Sequence, residues 1–150
     1  MGMSDHTVLL RCKSCATLNR VPAERLFLHP KCGKCKTFLE FPRTPVEVTA
    51  RNFEEEVLKW PSTVLVEFWS PRCGICLSIA PVIERLARER AGTVKVATIE
   101  VEKEWLLANR FDVRSTPVFF VYRNGVKINE LYGALPRLQL EAWLLSAVNG

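Results

Sequence analysis

The sequence predicts an α/β protein, a mixed central sheet flanked by helices, preceded by a small segment that needs a metal to hold it together. Three observations carry this. Apolar β-branched runs alternate with amphipathic stretches in the order β-α-β-α-β-α-β-β-α over residues 46–150, which implies a mixed sheet with helices on both faces. Six cysteines fall into three C-x-x-C pairs, two of them in a short basic stretch with too little apolar mass for its own core. The composition, 48% hydrophobic and 25% charged, is globular and excludes intrinsic disorder. A chain of 150 residues accommodates one ordinary domain plus a small appendage.

The expected organisation is a zinc ribbon over residues 1–39, a linker over 40–45 and an α/β domain over 46–150. In the first part, Cys12/Cys15 and Cys32/Cys35 are two C-x2-C pairs sixteen residues apart, within the zinc-ribbon spacing window. Two residues between cysteines let a tight knuckle aim both sulfurs at one ion, and Gly33 is expected to supply the permissive turn of the second knuckle. A closed four-sulfur site leaves no position for water, so zinc here would be structural, its binding energy serving as folding energy. Disulfide pairing or a second redox site are the alternatives. His29 and His6 read as solvent-exposed, and Phe27 and Phe38 as the ribbon's small core. "EFPRTP", with two prolines, reads as a semi-rigid polar linker.

A short strand is expected at 46–48. Asn52 followed by Glu55 has the capping-box form for a helix through about Lys59. "TVLVEFW" reads as a buried strand. A helix then opens at the third cysteine pair, with Ile79, Val82, Ile83 and Leu86 on one face and Pro81 expected to kink it. "TVKVATIEV" is a strand, about 104–111 a helix, and "PVFFVY" another buried strand. Asn124-Gly125 is a hairpin signal joining it to a strand from Val126 to about Tyr132. A last helix starts near Pro136, with Leu140, Trp143, Leu144 and Ala147 on one face.

The third pair, Cys73 and Cys76, sits where a strand end meets a helix start, the usual place for chemistry in such sheets. A thiol reacts as its thiolate. The helix N-terminus, the Arg72 cation and a hydrogen bond from Cys76 all favour that form at Cys73, and can bring a cysteine from about 8.5 to between roughly 3.5 and 7.5. Cys73 would then attack a target disulfide and Cys76, one turn further in, would resolve the mixed disulfide. Glu67 interrupts an apolar run; burial would raise its pKa and fit it to take the proton from Cys76 through water. A solvated edge, or pairing with a lysine, is the plainer reading of the same residue.

"VEFWSPRCGICLSIAP" resembles the active-site segment of the thioredoxin family, "STPVFFVYRNG" is similar to that family's cis-proline strand and hairpin, and "YGAL" to its Gly-Ala substrate-groove loop. The ribbon segment, with its Asn-Arg-Val-Pro, extends the resemblance to family members carrying an N-terminal zinc ribbon. The resemblance implies a thioredoxin fold and a cytoplasmic protein disulfide reductase, recharged by a flavin-containing, NADPH-dependent thioredoxin reductase and acting on oxidised proteins. It also implies Cys73 as nucleophile, Cys76 as resolving thiol, Glu67 as buried acid and Pro117 as cis-proline. Thr116 would offer its backbone to an incoming strand. Trp69, Arg72, Gly74, Ile75, Gly133 and Ala134 would border the target groove, although Trp69 also fits as a plain core aromatic. Structural Zn2+ is the expected metal, with no tightly bound organic cofactor, no membrane association and a monomeric chain.

Five positions depart from the family pattern. Arg72 replaces a tryptophan, Ile75 a proline, Leu77 a lysine, and Glu67 the commoner aspartate; Thr98 takes the place of the lysine that pairs with that acid. Residues between the cysteines set thiolate stability, so a less reducing potential is expected, where about 30 mV corresponds to 1.4 kcal/mol. Arg72 would make the groove's rim cationic and favour acidic targets. Two other functions compete. The ribbon, with Arg11, Lys13, Lys31, Lys34 and Lys36 around its knuckles, could be a target-docking or nucleic-acid-binding module, but the little aromatic interleaving argues against nucleic acid. A disulfide oxidase or isomerase with a raised potential is the other, disfavoured by the absence of a secretory signal and the cytoplasmic expectation that follows. The formal charge of +5 falls to +3 if four thiolates hold zinc, a modest excess.

Overall fold

The computed structural model describes residues 6–149. Strands β1 (Thr7–Arg11) and β2 (Leu18–Pro22) form an antiparallel hairpin with Val8 opposite Val21. Alternation turns Val8, Leu10 and Val21 inward. With Leu26 and Leu39 they join the same buried cluster as Phe53, Val57, Trp60 and Phe68. The ribbon therefore borrows its core from the larger unit. The two aromatics expected to be that core, Phe27 and Phe38, lie on the surface at 43% and 62% exposure; the aliphatic residues of β1 and β2 and of the turn after them take the inward positions instead.

A five-stranded sheet follows in the order β3-β5-β4-β6-β7. β3 (Val46–Glu47), β4 (Thr63–Trp69) and β5 (Val94–Glu100) run parallel, and β6 (Val118–Arg123) and β7 (Val126–Tyr132) are antiparallel additions. Helix α1 (Gly74–Glu89) runs through Pro81 as one element, and α2 (Trp105–Arg110) and α3 (Arg137–Asn149) lie close to the expected spans. β4 is buried on both faces. Val64, Val66 and Phe68 meet the ribbon-side cluster, while Leu65 packs with Ile83 and Leu86 of α1 and with Leu140 and Leu144 of α3. The Asn124-Gly125 turn has φ of 51° and 82°, the left-handed pair a two-residue hairpin needs.

The helix expected over 52–59 is instead a π-type turn, Glu54–Leu58. The Asn52 side chain does not cap it; its Oδ1 accepts from the Thr49 N–H at 2.7 Å. The wide bond of the turn runs from the Lys59 N–H to the Glu54 carbonyl at 2.8 Å. Lys95, fully buried in β5, donates to the Glu56 carbonyl (2.8 Å) and carboxylate (2.5 Å) and lies over the Trp60 ring at 3.9 Å, tying the turn to the sheet. The stretch expected as a polar linker is tied down as well, because Phe41 is buried with its ring edge-on to Trp60 at 5.6 Å.

Candidate active site and metal centre

β4 ends at Trp69, which is half-buried, and the chain turns through Ser70-Pro71-Arg72 into α1. Cys73 is the N-cap. Its N–H donates to the Ser70 carbonyl at 3.0 Å, and its sulfur accepts from the Cys76 N–H at 3.0 Å, so an orphan helix donor points at the reactive atom. Cys73 is partly exposed and Cys76 buried, and the two are joined as a disulfide with their Cα atoms 5.2 Å apart. This is the oxidised end of a dithiol cycle.

Across from the pair, the Thr116–Pro117 peptide bond is cis, and the Thr116 carbonyl oxygen lies 3.6 Å from Cys73 Sγ. Gly133 donates its N–H to the Pro117 carbonyl at 2.9 Å, which brings the Gly133-Ala134 loop to the same rim. Its φ of 92° explains a glycine there. Gly74 and Ile75 open outward, Ile75 and Leu77 being exposed apolar side chains.

Glu67 is 4% exposed, lying between Thr98 on β5 and Phe119 on β6. Strand alternation puts it on the Leu65 face, beneath α1. Burial pushes its carboxyl up to about 7, and no lysine partner lowers it. Both plainer readings of Glu67 therefore fail: it neither points to a solvated edge nor pairs with a lysine. The buried lysine of this chain, Lys95, is on the opposite face, paired with Glu56.

Arg72 is less free a cation than the sequence implied. Its Nε is 3.6 Å from Glu102 Oε2, the oxygen that also accepts from Ser70 Oγ at 2.7 Å, and Ser70 Oγ in turn accepts from the Arg72 N–H. Sequence reasoning missed Glu102, and it also missed Trp105. That exposed indole shares a groove of about 310 Å³ with Ser70, Arg114 and Thr116 beside the pair. An exposed tryptophan opening a short helix was the available signal.

At the other end of the molecule the four remaining sulfurs, of Cys12, Cys15, Cys32 and Cys35, lie within 4.8 Å of one another. Two of the separations are 3.5 and 3.6 Å, close to the roughly 3.8 Å edge of a tetrahedron with 2.3 Å metal–sulfur bonds. The donor set and its shape fit a metal. The two knuckles repeat each other. Cys12 and Cys32 N–H groups bond the Thr17 and Thr37 carbonyls, both at 2.8 Å, and each threonine hydroxyl sits 3.1 Å from Cys15 or Cys35 sulfur. The left-handed residues are Ala16 (φ 67°) and Lys36 (φ 68°), so Gly33 is not the permissive turn. Gly33 instead donates its N–H to Asn19 Oδ1 at 3.0 Å, fastening the second knuckle to β2. N–H groups from Cys35 and then Lys34, outweighing burial, bring the Cys32 thiol down to about 6, toward the thiolate a metal needs.

A cysteine pair that can open and close at a helix start, beside a backbone edge able to receive a peptide, belongs to the thiol–disulfide oxidoreductases. A family model described as thioredoxin matches residues 44–146, and a zinc-ribbon model described as the N-terminal part of thioredoxin 2 matches residues 11–37. Thioredoxin C-3 of Corynebacterium nephridii is 34% identical over 137 residues, covering 91% of this chain and 93% of its own. Thioredoxin C-2 of the same organism is 36% identical over 67% of this chain and 94% of its own. Among solved structures, a mutant thioredoxin from Halobacterium salinarum superposes with a TM-score of 0.65 at 27% identity, over 72% of this chain and 94% of that one. The chain belongs to the thioredoxin family, with an N-terminal zinc-ribbon segment, and its activity is dithiol–disulfide exchange.

Proposed function

We propose that this chain reduces disulfides in oxidised proteins in the cytoplasm, and that an NADPH-dependent thioredoxin reductase recharges it. The observation that carries the roles is the Cys73 sulfur, held at the N-cap of α1 by the Cys76 N–H and 3.6 Å from the Thr116 carbonyl. In the reduced chain, Cys73 thiolate attacks one sulfur of the target disulfide; the S–S bond breaks and the other target sulfur leaves as thiolate. Cys76 then loses its proton to Glu67 through water and attacks Cys73. The Cys73–Cys76 disulfide forms, the target's second sulfur leaves as thiolate, and two electrons have passed to the target.

Target backbone pairs with Thr116 as an added strand, and Trp69, Ile75, Gly133 and Ala134 border it. Cys12, Cys15, Cys32 and Cys35 hold zinc as a structural ion, with residues 1–39 as the ribbon, 40–45 as the connection and 46–150 as the redox unit. The test is reduction of insulin with NADPH and thioredoxin reductase. The chain should support turnover, and Cys73→Ser should abolish it with fold and metal content unchanged; turnover by Cys73→Ser would overturn the assignment.

A further inference from the structure

Formal charge is divided unevenly along the chain. Residues 1–45 carry eight Lys and Arg against three Asp and Glu, whereas residues 46–150 carry thirteen of each, so the whole +5 belongs to the ribbon end. A four-thiolate zinc site would still leave that end positive. Among the described residues, Arg20, Arg25, Lys31, Lys34, Lys36 and Arg43 make no ion pair with a carboxylate.

Three of these cations, Arg20, Arg25 and Lys31, flank an apolar ridge. Leu28 is 70% exposed and His29 turns the chain at φ 55°. On one side of the ridge runs a groove of about 560 Å³ bounded by Arg20, Arg25, Leu28, Pro30 and Lys31, with no acidic residue in its wall. Phe27 and Phe38 stand exposed nearby, but each already has a cation of this chain over its ring. Arg43 Cζ is 4.5 Å from the Phe27 centroid, Lys31 Nζ is 5.3 Å from that of Phe38, and His29 abuts the Phe38 ring edge-on. Rings so covered are poor platforms for nucleobases, which bind single strands mainly by stacking. A bare leucine between guanidinium and ammonium groups instead complements an aliphatic side chain flanked by carboxylates.

We propose that this groove, with Arg20, Arg25 and Lys31 as its charges and Leu28 as its apolar wall, docks an acidic polypeptide segment with an aliphatic anchor on the proteins whose disulfides the chain reduces. The inference rests on the protein-disulfide-reductase reading for the identity of the partner. The redox unit is formally neutral, so the ribbon supplies the long-range attraction and the encounter rate. A target held there meets Cys73 at raised effective concentration.

The test uses the full oxidised chain and a dye-labelled peptide of alternating Glu and Leu, with an alternating Lys and Leu peptide and a single-stranded RNA of equal length as comparisons. Fluorescence anisotropy should show binding of the Glu peptide alone, weakening as NaCl rises. Arg25→Glu with Lys31→Glu should weaken it on the order of tenfold to a hundredfold, and Leu28→Asp should also weaken it. Should Lys31→Glu cost the chain its metal, Arg20→Glu with Arg25→Glu makes the same test away from the cysteines. Equal binding of both peptides, tighter binding of the RNA, or charge-reversed variants that bind as the parent does would each overturn the proposal. Insulin reduction by the parent chain is measured in parallel. Its absence in the parent chain would instead overturn the reductase reading, whatever the peptide does.

Discussion

Replacing Glu67 by Gln should stabilise this protein above neutral pH and leave its stability unchanged in acid. The carboxyl is 4% exposed, and burial pushes it up to about 7 from an ordinary value of 4.5. Below pH 4.5 it is protonated in both the folded and the unfolded chain and contributes nothing to the pH dependence. Between 4.5 and 7 the folded chain keeps a proton that the unfolded chain has released, so stability falls as pH rises, at about 1.4 kcal/mol per pH unit. Above 7 the full penalty is present, on the order of 3 kcal/mol. This is opposite in sign to the usual salt-bridged carboxylate, whose contribution is lost in acid.

Glutamine keeps the shape and removes the charge. Urea unfolding of the oxidised parent and of Glu67→Gln, followed from pH 4.5 to 8, should give coincident midpoints at the acid end. At the alkaline end the variant should lead by roughly 1–3 M urea. Contributions from the other titrating groups cancel in the difference. A gap independent of pH, or a parent chain more stable than the variant at pH 8, would mean the carboxylate is ionised and compensated, and the reasoning fails. On the proposed role of Glu67, the same substitution removes the proton acceptor for Cys76. Release of the mixed disulfide should therefore slow by about a hundredfold in single-turnover kinetics, while the first attack by Cys73 keeps its rate.

Two further outcomes follow from the surroundings of the two cysteine sites. Glu102→Gln removes the partner of Arg72 and leaves its cation to act on Cys73, so alkylation of Cys73 in the reduced chain at neutral pH should speed up about two- to threefold; an unchanged rate would refute that influence. Stripping the metal with a strong chelator should release one zinc per chain and unfold the β1–β2 hairpin. It should also lower the thermal midpoint of the sheet, because Val8, Leu10 and Leu26 share its core; an unshifted midpoint would refute that coupling.

The parts of the fold legible in sequence were those whose burial is decided locally. β4 and β6 are covered on both faces and so read as unbroken apolar runs, in which Glu67 stood out as the one acid. The cysteines were legible because thiolate chemistry and metal binding both fix a two-residue spacing. What failed depended on partners distant in the chain. Lys95 is one more polar residue in the β5 run, but Glu56 and Trp60 bury it, and the expected capped helix after Asn52 is a π-type turn packed on that contact. Phe27 and Phe38 read as core by composition, and only the docking of the ribbon reveals that β1 and β2 already fill it. Glu102 lies thirty residues beyond Arg72, and the register of β4 against β5 is what brings them together.

That docking decides what kind of appendage the ribbon is. A tethered module would need a flexible linker, but Phe41 is buried against Trp60, and a Cβ on Gly92 would stand 3.0 Å from the Leu26 side chain, a contact tight enough to demand adjustment. Lys13, inside the first knuckle, lies 3.5 Å from the Glu56 carboxylate that holds Lys95 in the sheet. The exposed Lys13 pair contributes little by itself. Its meaning is positional, because it ties the first knuckle to the face of the sheet opposite α1, where Val8, Leu10 and Leu26 are buried. The cationic ribbon and the neutral redox unit are thus held by one continuous core, and the groove beside Leu28 keeps a set relation to Cys73. Capture at the ribbon, as proposed, would then select targets by the distance between their acidic segment and their disulfide as well as by charge.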